Sequence, residues 1–482
     1  MTREIRRLGI VLMALFVALF LNVTWLQVVR GEELANHPGN TRKAVRDFSR
    51  ARGAISTADG AVVAESVPSN DSFKRQRRYP EGELFGHITG YLSFKYGSEG
   101  LERTYNDELT GRDLRVRLNS IGDAFTERGQ TADVILTLRK DVQDVARREL
   151  GGRRGSVVAI DPRTGALIAL WSFPSYDPNP LAGHDMKAVT QAWDLLQIAP
   201  NNPMLPRAYR QRYAPGSTFK VVTATAAVER TPQLAGKVYP PERTLDLPQT
   251  DRDLPNFGGG TCGGALPDLL RVSCNTGFAR LGVEMGADAL SSEAQDFGFN
   301  ERPPLDLPAA ARSVFPEASA FERNIPALAY SAIGQQDVAA SPLQMALVAG
   351  AVANNGVAMR PHVMSEIRDE DAKVLKRTSP EAWKQVTSPE VAAAVRVMMV
   401  DVVARGTGTR AQIPGVTVGG KTGTAQTVGA NAHAWFIGFA PAEAPEVAVA
   451  VIIESQDGVS EATGGRLAAP IAQAVMRATL RR

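Results

Sequence analysis

The longest apolar stretch in the chain runs from Leu8 to Val29 and is broken only by Asn22, Thr24 and Gln27. A helix of about twenty such residues spans the hydrocarbon core of a bilayer. Arg3, Arg6 and Arg7 precede it, which places residues 1–7 in the cytoplasm and everything after Arg30 on the far side. The uninterrupted part, Leu8 to Leu21, also has the length of a signal-peptide core. No A-x-A-like site follows, and Trp25 stands where an interfacial aromatic belongs, so the expectation is an uncleaved, single-pass anchor over 8–29.

From Gly31 to Gln130 the pattern is polar, with short extended runs such as "RGAISTADGAVVAES", whose two halves flank the turn pair Asp59-Gly60. This predicts a small β-rich domain. "DVILTL", Asp133 to Leu138, then reads as a strand, and the following residues put Val142, Val145, Ala146 and Leu150 on one helical stripe. Gly155 to Ser172 is a hairpin, two β-branched and aliphatic runs joined by Asp161-Pro162-Arg163-Thr164-Gly165. Three more strand runs, "VTVGGKTGTAQT", "HAWFIGFAP" and "EVAVAVIIES", come late, and "LAAPIAQAVMRATL" closes as a helix. Ser388-Pro389-Glu390 opens another helix that runs to Gly406. Two strands early and three late, with helices between, predict one five-stranded antiparallel sheet flanked by helices, in a mixed α+β chain. The expected division is a tail at 1–7, the anchor at 8–29, a non-catalytic domain at 30–138 and a catalytic domain at 139–482.

Composition adds mostly exclusions. The 482 residues are 44% hydrophobic, enough for two or three cores, and 54 basic against 51 acidic side chains leave a net charge of only +3. That balance gives no reason to expect nucleic acid as a partner. Two cysteines and five scattered histidines have no metal-ligand spacing, so no metal and no cofactor are expected. "GTGTR" at 406–410 follows a helix and lacks both phosphate-loop patterns, so it is read as a turn.

Three short patterns each occur once, in this order: Ser217-x-x-Lys220 inside "YAPGSTFK", Ser273-Cys274-Asn275, and Lys421-Thr422-Gly423-Thr424. If a helix begins at Gly216, Ser217 and Lys220 are neighbours on one face. Taken singly, Ser217 is a helix cap, Ser273 and Asn275 cap the helix "TGFARLGVEM", and Thr422 is a strand threonine. Taken together, they resemble the penicilloyl-serine transferases, the family of penicillin-binding proteins and serine β-lactamases. With "GSEGLERTYNDELTG", "VVAIDPRTGALIALWSFPSYDPN", "GQQDVAASPLQMA" and "GKTGTAQ", the chain looks from end to end like a class B penicillin-binding protein.

The resemblance implies a peptidoglycan D,D-transpeptidase acting in division or elongation. Ser217 would attack the penultimate D-alanine of a stem peptide ending in D-Ala-D-Ala, and β-lactams would acylate the same hydroxyl. Lys220 would be the base, Ser273 the proton relay, and Asn275 the group holding Lys220 and the substrate amide. Lys421 would bring positive charge, and Thr422 and Thr424 would bind the terminal carboxylate. Gly423 would leave backbone bare for the acyl chain to lie beside the strand. The backbone N–H groups of Ser217 and Thr424 would form the oxyanion hole. The expected partners are the membrane, a polytopic SEDS-type glycosyltransferase and other cell-division or elongation proteins. A hydrolase, either a D,D-carboxypeptidase or a β-lactamase, shares the same motifs, and a scaffold for the glycan polymerase is the alternative of a different class. Residues 31–130 are too short for a glycosyltransferase domain, and no wall-binding module is expected after the last helix. Cys262 and Cys274 lie outside the membrane with no third cysteine to compete, so a disulfide is expected, against the alternative of two buried thiols.

Overall fold

The structure, a computed structural model, describes residues 2–28, 48–112, 131–427, 430–455 and 463–481. Two compact units are described separately: residues 1–51 with 67–76, and residues 52–66 with 77–482. In the first unit, helix α1 (Thr2–Val28) carries an exposed apolar stretch, Arg3–Leu26, with mean hydropathy 2.3. It is long and apolar enough to cross a membrane.

The second unit is built on two sheets. The smaller in residues, although it has six strands, begins with the hairpin that Asp59-Gly60 predicts: β1 (Ile55–Ser56) pairs antiparallel with β2 (Val62–Pro68), and Gly60 takes the left-handed backbone the turn needs at φ +88°. Its central strand is β3 (Ala132–Leu136), parallel to β1. The other edge of β3 is covered by a strand from far along the chain, which the local sequence pattern does not predict. Before that strand come α2 (Lys140–Leu150), whose Val142, Ala146 and Leu150 are buried as the stripe predicts, and the hairpin of β4 (Gly155–Ile160) and β5 (Leu167–Phe173). Later, β6 (Met364–Asp369) pairs antiparallel with β3, Met364 opposite Leu136 and Ile367 opposite Val134, and folds back on β7 (Val374–Arg377).

The larger sheet has five antiparallel strands in the order β8 (Gly419–Thr427), β9 (Ala430–Ala440), β10 (Val447–Ile453), β4, β5. Every residue of β10, "VAVAVII", is buried, so the run of apolar residues without alternation belongs to a strand covered on both faces. On one side packs α6 (Pro342–Ala353), apolar but for Gln344 and buried at every position. It starts as its sequence dictates, with Ser341 Oγ accepting from Gln344 N at 3.1 Å and a proline at the first turn. On the other side lie α2 and the closing helix α8 (Ala469–Leu480). Between α6 and β8 runs α7 (Pro389–Arg405), capped by Ser388 Oγ accepting from Val391 N at 3.3 Å. Strand β8 is an edge of the sheet, so its outer side remains available to a further extended chain.

Candidate active site

The "YAPGSTFK" segment does not begin as an α-helix. Gly216–Thr218 forms a 3-10 turn, and the α-helix proper, α3, covers Lys220–Arg230. Ser217 and Lys220 therefore come from two different turns, and among the described residues no hydrogen bond joins them. The turn is held from three sides. Gly216 N donates to Gly334 O at 2.9 Å, Thr218 Oγ1 donates to Pro215 O at 2.7 Å, and Trp435 Nε1 donates to Ala214 O at 3.0 Å. Gly216 is at φ +51°, and a side chain there would strike Thr424 O at 2.8 Å, so only glycine lets the turn lie against β8. One residue upstream, Tyr213 donates its hydroxyl to Glu454 Oε1 at 2.7 Å, tying the motif to the end of β10.

Lys220 is the first residue of α3 and is completely buried. Its Nζ donates to Ser273 O at 2.8 Å and Asn275 Oδ1 at 2.6 Å, with Ser273 Oγ further off at 3.4 Å. Two carbonyl oxygens and no carboxylate receive it, and the nearest charge is another lysine. Burial first, then the repulsion of Lys421, hold its pKa well below the ordinary lysine value of 10.5. A neutral amine has two N–H donors and a lone pair. The two carbonyls take the donors, and the lone pair remains for a proton.

Ser273 and Asn275 come from the junction of α4 (Leu266–Val272) and α5 (Asn275–Met285). Ser273 sits at φ 60°, ψ 43°, a left-handed conformation that costs a non-glycine residue about 1–2 kcal/mol. That conformation allows its carbonyl and its hydroxyl both to reach the lysines: Lys421 Nζ donates to Ser273 Oγ at 2.8 Å. Lys421 is buried too, and desolvation pushes its pKa down to about 7. The junction is held by Asn256, whose Oδ1 accepts from Asn275 N at 2.9 Å and Thr276 N at 3.0 Å. Cys262 and Cys274 are bonded, with Cα atoms 5.7 Å apart, so the same junction is tied covalently to the strand at Cys262–Gly264.

Ser217, Ser273, Asn275, Thr422 and Thr424 line one open cleft of about 690 Å³, with Lys220 and Lys421 beneath it. Gly423 does not line it. A Cβ at Gly423 would meet Thr218 Cγ2 at 2.9 Å and Pro215 O at 3.0 Å, so the absence of a side chain there lets β8 pack on the serine turn. The sequence reading also passed over groups that belong here. Thr407, in the "GTGTR" turn, shares a 2.6 Å hydrogen bond with Thr422 Oγ1 and lines the cleft. Asn256 carries no motif at all. The Gly464-Gly465 pair is the missed signal: a Cβ at Gly464 would lie 1.9 Å from Trp435 O, and one at Gly465 would lie 2.4 Å from Thr407 O. Two adjacent glycines after a strand mark a backbone pressed against the sheet.

Two family models match the chain: a penicillin binding protein transpeptidase domain over residues 155–477, and a penicillin binding protein A dimerisation domain over residues 52–135. The chain is similar to the peptidoglycan D,D-transpeptidase PbpA of Mycolicibacterium smegmatis, at 40% identity over 100% of this chain and 99% of that one. The PbpA of Mycobacterium tuberculosis is 39% identical over the same shares. Among solved structures, the ceftriaxone acyl-enzyme complex of penicillin-binding protein A from M. tuberculosis superposes with a TM-score of 0.84 at 37% identity, covering 90% of this chain and all of that one. Its penicillin G acyl-enzyme complex gives 0.82 at the same identity, covering 89% of this chain and all of that one. With a transpeptidase model matching more than half its length and relatives alike from end to end, this chain belongs to the penicillin-binding-protein transpeptidase family.

Proposed function

We propose that the protein is a serine D,D-transpeptidase that cross-links the stem peptides of peptidoglycan and is acylated by β-lactams. The observation that carries this reading is the Ser273 hydroxyl, held between two buried lysine amines that have only carbonyl and hydroxyl acceptors. Ser217 Oγ attacks the carbonyl of the penultimate D-alanine as Lys220 Nζ takes its proton, and the N–H groups of Ser217 and Thr424 receive the developing oxyanion. One such donor is worth about 3 kcal/mol at the transition state. Lys220 then returns the proton through Ser273 Oγ to the leaving nitrogen. The C–N bond breaks, D-alanine departs, and the ester is attacked by an amine of a second stem peptide. Thr422 and Thr424 hold the terminal carboxylate, and Asn275, whose Oδ1 is occupied by Lys220 and whose Nδ2 donates one N–H to Pro255 O at 3.1 Å, offers its second N–H to the peptide.

A hydrolase would need a group to activate water at the ester. Among the described residues lining the cleft there is no carboxylate and no imidazole, which favours transfer to an amine over release to water. The full-length protein, given a peptide ending in D-Ala-D-Ala and an amine acceptor, is expected to release D-alanine and form the cross-linked product in step, and to keep a penicillin adduct for minutes by intact mass. Release of D-alanine without a cross-link, or loss of the adduct within seconds, would assign the hydrolase reading instead.

The anchor sets where this chemistry takes place. Arg3, Arg6 and Arg7, in the first turns of α1 and ahead of its apolar run from Leu8, favour an N-terminus in the cytoplasm and a catalytic unit outside the cell membrane. Alkaline phosphatase fused after Leu34 should be active and a reporter that works only in the cytoplasm silent; the reverse pattern would overturn the orientation.

A further inference from the structure

Only two of the described residues that line the cleft carry a formal charge, Arg410 and Arg466, and both are exposed. They arrive on different elements, the turn Thr409–Ala411 after α7 and the turn Gly464–Ala468 before α8. Gly464 and Gly465 press the second turn onto β9 and Thr407, and Thr407 is bonded to Thr422, so both arginines are brought to the end of the cleft where Thr422 stands. Arg410 Nη1 lies 3.4 Å from Arg466 O, joining the two turns at the rim.

We propose that Arg410 and Arg466 form a cationic rim that captures the terminal carboxylate of the donor peptide, or the carboxylate of a β-lactam, on its way to Thr422 and Thr424. This rests on the acyl-transfer reading above. The deeper lysines supply less of that attraction than ordinary lysines would, because burial holds Lys220 well below its usual range and brings Lys421 down to about 7. Guanidinium groups keep their charge at any working pH. Two exposed charges add little to a static contact. In a cleft free of described acidic groups they raise the local concentration of an anion and speed its arrival, an effect that salt screens.

The test is the second-order rate of acylation at pH 8 by benzylpenicillin and by its uncharged methyl ester, measured on the full-length wild type and on the double variant Arg410→Gln/Arg466→Gln. For benzylpenicillin the double variant is expected to lose roughly tenfold at low ionic strength, and most of that difference should vanish at about 0.5 M salt. The methyl ester should react equally with both proteins. Arg410→Lys/Arg466→Lys should retain the wild-type rate. An equal loss for acid and ester, a loss that salt does not diminish, or no loss at all would each overturn the proposal. Failure of the acyl-transfer reading would look different, since the wild type itself would then not react.

Discussion

Ser217→Ala is expected to abolish covalent labelling by a fluorescent penicillin while leaving the thermal unfolding midpoint nearly unchanged. In the proposed mechanism this hydroxyl supplies the atom that bonds to the opened β-lactam, so no partial activity is expected when it is removed. Its loss costs the fold little. Ser217 is partly exposed at the cleft, and its hydroxyl has no hydrogen-bond partner among the described residues. The turn around it is kept by the backbone of Gly216, the hydroxyl of Thr218 and the indole of Trp435, none of which the substitution touches. Persistent labelling of the alanine variant would remove Ser217 from the mechanism, and a midpoint lowered by many degrees would make its role structural.

Lys220→Met should slow penicillin labelling by about a hundredfold to ten-thousandfold, the usual worth of a positioned general base. Methionine fills nearly the same buried volume, so the loss reports the amine and not a cavity. Some destabilisation accompanies it, because Ser273 O and Asn275 Oδ1 lose their donor, at about 1–3 kcal/mol for each buried acceptor left unpaired. The wild-type pH profile provides the second reading of this residue. Only the neutral amine can take the Ser217 proton, so the acylation rate must rise with pH as Lys220 loses its own. Because burial and Lys421 lower the pKa, that rise should be complete well below pH 10.5. A rate still climbing at pH 10 would show a lysine with an ordinary pKa and a different base.

The motif residues were legible because their chemistry is local in the chain. Ser217 with Lys220, Ser273 with Asn275, and Lys421 with Thr424 lie within a few residues of each other, and the five strands of the large sheet carried the β-branched runs that predict them. Where the sequence was read amiss, the deciding contact came from a distant segment. The 3-10 turn at Gly216 is set by Gly334 and by β8, and Gly423 carries a packing demand from Thr218 and Pro215 that its own neighbours in the chain do not show. Thr407 lies in a turn, as "GTGTR" predicts, but nothing near it in sequence announces its bond to Thr422. Asn256 holds the Ser273–Asn275 junction from a loop without periodicity or motif. Such residues are specified by the packing of the whole unit, and one sequence does not display that packing.

The pairing of β6 with β3 bears on how the chain must be made. Leu136 finds its partner at Met364, and between them the chain builds the early strands of the large sheet, the serine turn and the Ser273 junction. During synthesis β3 therefore waits with an open edge, able to pair with the wrong strand, until β6 has emerged. A product cut short before Met364 lacks the strand that covers this edge. The small sheet is thus completed only after the segments that carry Ser217 and Ser273 have been made, and before the one that carries Lys421.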